Sequence, residues 1–111
     1  MSTTIQKQVL IDARALIADP SHWTRTTLAC TANGRRVAWQ DQSAIKWCAL
    51  GAIYRAAYNL VGDRKEAVRI GNEVARSISG THWFRMRLPA INDTSSHTAV
   101  LEVFDRALAA A

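Results

Sequence analysis

The sequence has little of what makes a protein easy to classify. It carries two cysteines, Cys30 and Cys48, too few for a disulfide scaffold. Both are expected as reduced thiols in an intracellular chain. Two prolines and five glycines exclude collagen-like and low-complexity sequence. The longest nearly apolar run, Trp47–Ile53, is far short of the ~20 residues that cross a bilayer, so no membrane association is expected. The opening Met1-Ser2-Thr3-Thr4-Ile5-Gln6-Lys7 lacks the apolar core of a signal peptide, which gives the expectation of a cytoplasmic protein. Walker A, GxGxxG, HExxH, CxxC and GxSxG motifs are absent, as is any internal repeat, so no cofactor is expected. Acid is also short, with Asp+Glu 9 against Lys+Arg 14 and a net charge of +5. An excess of that sign attracts acidic partners and nucleic acid without specifying either.

What remains is ordinary globular material. The 111 residues are 49% hydrophobic and 21% charged, which suits one domain over residues 1–111. A chain of this length buries roughly two-thirds of its extended surface.

Periodicity predicts the elements. Ile5, Val9, Ala13, Leu16 and Ile17 recur at helical spacing, predicting a helix over 4–18 that Asp19-Pro20 ends. Asn33-Gly34 between short runs rich in Thr, Val and Trp predicts a β-hairpin within 22–42, because both turn residues tolerate positive φ. Residues 43–61 are apolar nearly all round, predicting a buried central helix with Ser43 as its cap and Gly62 as its stop. Gly51 in its middle predicts a close neighbour. Asp63, with Glu66 three residues on, opens a helix over 63–79. An apolar connector over 81–92 leads to a last helix ending at Ala110, in which His97, Val100, Leu101, Phe104 and Leu108 share one face. The expected fold is therefore mainly α: a four-helix compact domain around a buried central helix, with a short β-hairpin insertion.

Three kinds of chemistry follow from the residues. Cys48 and His97 both face inward on these helices, and a thiol beside an imidazole can form a thiolate nucleophile, with Asn92 or Asp93 orienting the ring. Starting the helix at Ser43 puts Cys48 in the second turn, where the helix dipole does little for a thiolate. The plainer reading makes Cys48 a small core residue and has His97 hydrogen-bond a nearby oxygen. A metal site is not expected, because Cys30, Cys48, His22, His82 and His97 include no pair at chelating spacing. The third chemistry is binding. Arg25, Arg35, Arg36, Arg85 and Arg87 fall in the two non-helical stretches beside Trp23, Trp39, Trp83 and Phe84, a mixture that can hold phosphates, stack bases or meet an acidic protein.

Two stretches carry a resemblance. Trp47-Cys48-Ala49-Leu50-Gly51-Ala52 precedes Asn92-Asp93, His97, Val100-Leu101 and Phe104-Asp105-Arg106-Ala107, with Ala15-Leu16-Ile17, Asp19-Pro20 and Trp23 upstream. This resembles, over nearly the whole chain, a small family of bacterial and phage proteins known as a domain of unknown function. It departs at Ile91, where that family often carries Trp. The resemblance implies no activity, but it points to Cys48, Asn92, Asp93 and His97. The expected function is a small, phage-linked binding or regulatory module. It would take a protein partner or acidic ligand in a groove between the hairpin, the Trp83 connector and the last helix, using Arg25, Arg35, Arg36, Trp83, Arg85 and Arg87. The alternatives are a cysteine-dependent hydrolase or transferase using Cys48 and His97, and a nucleic-acid-binding protein. The oligomeric state has no signature in the sequence.

Overall fold

A computed structural model describes residues 4–81 and 87–111. The fold is mainly helical with a small antiparallel pairing, as the periodicity predicts. Helix α1 runs Thr4–Leu16, a 3-10 turn Pro20–His22, strand β1 Ala29–Cys30 and strand β2 Lys46–Trp47. Helices α2 (Ala49–Val61), α3 (Arg64–Thr81), α4 (Leu88–Thr94) and α5 (His97–Ala110) follow. Helix α2 is central, packed on α1, α3 and α4.

The core lies where the apolar stripes of these helices meet. Val9, Leu10 and Ile17 join Ile53, Val74, Ile78, Val100 and Phe104, all essentially removed from solvent. Each such side chain contributes about 1.5–3 kcal/mol relative to an exposed one. Buried alanines, Ala49, Ala52, Ala56 and Ala57 on α2 and Ala67 on α3, let the central helices approach closely. At Gly71 a Cβ would stand 2.4 Å from the Tyr54 ring, so α3 has glycine where Tyr54 of α2 crosses it.

The central helix begins later than its hydrophobic run. Ser43 does not cap it. Its backbone N–H and hydroxyl both donate to Asp41 Oδ1, at 2.8 and 2.6 Å, closing a local Asp-x-Ser turn of the kind that competes with helix. Lys46–Trp47 then extends and pairs antiparallel with β1, in register Ala29↔Trp47 and Cys30↔Lys46. Helix starts only at Ala49, with Cys48 as the N-cap. Asp19-Pro20-Ser21 repeats the same turn after α1, and α1 ends at Leu16, two residues before the expected Ala18.

The Asn33-Gly34 turn is present. Gly34 has φ +86°, and its N–H donates to Thr31 O at 3.0 Å. Its arms meet at one bridge, Cys30↔Arg36. The ladder itself forms between β1 and the later β2. Trp47 also bridges Trp23 in parallel, so Trp23, Ala29–Cys30, Arg36 and Lys46–Trp47 make one small extended patch in front of α2.

The connector yields a fifth, short helix. Arg87 is the N-cap of α4, and Leu88, Ile91 and Asn92 are its buried positions. Trp83 and Arg85 of the expected groove lie outside the described residues. Ser96 caps α5, its hydroxyl accepting from Ala99 N at 3.1 Å.

Candidate functional site

Asn92 organises the region that the sequence singles out. It is the one buried polar residue among those described and has no exposed surface. Its Oδ1 accepts from Trp23 Nε1 at 2.7 Å and from Ala49 N, the first amide of α2, at 2.9 Å. Its Nδ2 donates to Thr24 O at 3.1 Å and to Asp93 Oδ1 at 3.2 Å. That uses both lone pairs and both protons of the amide. One side chain thus joins the 23–26 loop, the start of α2 and helix α4.

Asp93 extends this node. Its Oδ1 also accepts from Thr26 N at 2.9 Å. Thr26 has φ +66°, a left-handed conformation that a β-branched residue adopts only under constraint. The constraint includes the Asp93 bond and a 2.6 Å bond from Thr26 Oγ1 to Arg25 O. The bent loop brings Leu28 O against α2, where a Cβ on Gly51 would lie 1.9 Å from it. The close neighbour expected at Gly51 is therefore this carbonyl.

Cys48 stands at the N-cap of α2, not in its second turn. Its Sγ accepts from Gly51 N at 3.3 Å. It lines a pocket of about 150 Å³ with Thr26, Thr27, Leu28, Pro89 and Asp93. The helix amides favour a thiolate, but burial raises the thiol above its ordinary value of 9.0, and the Asp93 carboxylate adds to the rise. Desolvation and a neighbouring anion together oppose ionisation. Cys30 is also a buried free thiol.

His97 opens α5 and faces elsewhere. Its Nε2 lies 2.6 Å from Ile17 O. A carbonyl only accepts, so Nε2 carries the proton and donates. The ring thereby closes an open carbonyl beyond the end of α1, and it packs on Trp23 with centroids 5.4 Å apart. Asn92 and Asp93 bind Trp23, Ala49, Thr24 and Thr26, so the groups expected to orient the imidazole serve the backbone and the indole.

The described arginines of the expected groove occupy different surroundings. Arg25 lies over the Trp23 ring at 4.8 Å and donates to Ser95 O. The Arg35 charge adds to the lowering of the Asp41 carboxyl. Arg36 sits at the bridge to Cys30. Arg87 lines a larger pocket of about 590 Å³ between α2, α3 and α4.

That pocket was not legible beforehand. Its apolar wall is Leu50, Ala75, Leu88 and Pro89, and its polar groups are Asn72, Arg76 and Arg87. Asn72, Ala75 and Arg76 stand at i, i+3 and i+4, on one face of α3. Arg76 and Arg87 are exposed, and among the described residues no carboxylate pairs with either. Asn72 Oδ1 accepts the Tyr54 hydroxyl proton. Burial holds the Tyr54 phenol above its ordinary value, so that hydroxyl remains a donor. Arg76 stands on the exposed face of α3, and the docking of α4 makes that face a pocket wall. Pro89 borders both this pocket and the smaller one beside Cys48.

Among the described residues, no group of three or more His, Cys, Asp or Glu side chains is arranged to hold a metal ion, and no helix is long and apolar enough to cross a membrane. The chain matches a family of unknown function, DUF6197, over residues 1–110, and it belongs to that family. No curated protein and no solved structure matches it significantly.

Proposed function

We propose that the protein is a small binding module that takes an acidic ligand in the pocket between α2, α3 and α4. The observation that carries this reading is the pairing of Arg76 and Arg87, both without a carboxylate partner among the described residues, at the mouth of a mostly apolar cavity. A volume of about 590 Å³ falls in the range of small-molecule sites, which combine apolar walls with a few placed polar groups. Guanidinium groups suit carboxylate and phosphate oxygens.

Cysteine-dependent transfer has less support. Cys48 has a pocket and a helix N-terminus beside it, but its thiol is held protonated by burial and by Asp93, and His97 Nε2 is engaged by Ile17 O. Nucleic-acid binding rests on the net charge alone, and the described arginines of the expected groove lie in separate surroundings, Arg25 over Trp23, Arg36 at the bridge to Cys30 and Arg87 at the pocket.

A thermal-shift panel of organic anions, cations and neutral compounds tests the proposal. Anions are expected to raise Tm in the wild-type chain, since a ligand bound only by the folded state stabilises by RT ln(1 + [L]/Kd). The Arg76→Ala/Arg87→Ala chain is expected to lose that rise. An equal rise in both chains, or none with any anion, contradicts the proposal.

A further inference from the structure

The polar groups that line the α2–α3–α4 pocket are mostly donors. Arg76 and Arg87 only donate. Asn72 turns Oδ1 toward the Tyr54 hydroxyl, which fills one of its two lone pairs, and the other end of the amide, Nδ2, is a donor. Among the described lining residues there is no carboxylate, and the one side-chain acceptor, Asn72 Oδ1, is turned toward Tyr54. Asn72 and Arg76 present their donors one helical turn apart on α3, and Arg87 presents its own from the start of α4. Leu50 and Leu88 give the cavity an apolar side.

We infer that the occupant is an organic anion with an apolar body: its acid group accepts from Arg76, Arg87 and Asn72 Nδ2, and its hydrocarbon part lies against Leu50 and Leu88. This rests on the reading of the pocket as an acidic-ligand site and narrows it to one ligand class. The two guanidinium groups and the absence of a carboxylate among the described lining residues select the acid group. The apolar wall selects the body, because a bare inorganic anion would leave that surface facing water and gain nothing from it. Tyr54 is a positioning residue: it touches no ligand and fixes which end of the Asn72 amide is presented.

Isothermal titration with three probes separates the parts. 1-Naphthoate carries both features, 1-naphthalenemethanol the body alone and inorganic phosphate the charge alone. The wild-type chain is expected to bind naphthoate at one site, at least about tenfold more tightly than the alcohol or phosphate, as loss of a charge-assisted bond or of the buried body implies. Arg76→Ala/Arg87→Ala is expected to bring naphthoate down to the affinity of the alcohol. Tyr54→Phe is expected to weaken naphthoate severalfold and leave the alcohol unchanged, an effect that mere loss of packing at Tyr54 would not divide between the two probes. Phosphate binding as tightly as naphthoate, and lost in the double variant, overturns the apolar body while leaving the acidic-ligand reading intact. The alcohol binding as tightly as naphthoate overturns both. No naphthoate binding at millimolar concentration overturns this inference, and the anion panel above then decides the broader reading by itself.

Discussion

The Asn92 node and the Arg76–Arg87 pocket lie on two sides of α4 and treat polar groups in opposite ways. At Asn92 every proton and lone pair of a fully buried amide has a partner within the fold. In the pocket two guanidinium groups stand exposed without a carboxylate partner among the described residues. A satisfied buried network specifies structure, because removing one member strands the others. Open donors beside an apolar wall cost the fold little and leave bonding capacity for something else. The comparison assigns Asn92, Asp93 and His97, which the sequence marked as candidates for chemistry, to architecture. Under the proposed function, ligand contact falls to Asn72, Arg76 and Arg87, of which the sequence marked only Arg87.

The strongest way to break that comparison is at Asn92 itself. Asn92→Ala strands the Trp23 indole N–H, the Ala49 amide and the Thr24 carbonyl, at about 1–3 kcal/mol for each buried group left unpaired. Urea unfolding is expected to show a loss of about 4 kcal/mol, carried by a lower midpoint with a nearly unchanged slope. A loss under 1 kcal/mol would remove Asn92 from the architectural role. Next is Gly51→Ala, whose new Cβ would sit 1.9 Å from Leu28 O. Relief requires moving a backbone segment tied through Thr26 to Asp93, so about 3 kcal/mol is expected by the same measurement, at the upper end of overpacking costs. The third acts through pH. Hydrogen bonds from Ser21 hold the Asp19 carboxyl below its ordinary 3.8, and those from Ser43 do the same for Asp41. Their folded pKa values are depressed, so their contribution is full above 3.8 and is lost as pH falls through the lower folded values. The double Asp19→Asn/Asp41→Asn chain is expected to show a shallower fall in Tm over that acid range than the wild type. The smallest effect belongs to Arg76→Ala/Arg87→Ala, expected within about 0.5 kcal/mol of wild type because no carboxylate partner among the described residues is stranded.

Much of the fold was legible because helical periodicity and turn chemistry are local. The stripes of α1, α3 and α5, the stop at Gly62 and the Asn33-Gly34 turn all follow from near neighbours in sequence. The start of α2 did not, since residues 43–48 are apolar enough for helix. Their fate is decided by the Asp41–Ser43 turn and by distant pairing of Lys46–Trp47 with Ala29–Cys30. That shift moved Cys48 from a second turn to an N-cap. At the candidate site the residue types around Cys48 were visible but their partners were not, because the bonds of Asn92 reach from residue 23 to residue 92. The pocket was the least legible part. Asn72, Ala75 and Arg76 become a pocket wall only where α4 packs beside them.

The central claim is that ligand contact belongs to the pocket and structural support to the Asn92 node. It is tested most directly by following backbone amide resonances of the wild-type chain as 1-naphthoate is added. Saturable shifts are expected at Leu50, Asn72, Ala75, Arg76, Arg87 and Leu88, absent from the Arg76→Ala/Arg87→Ala chain. Shifts centred on Thr26, Cys48 and Asp93, persisting in the double variant, would contradict it.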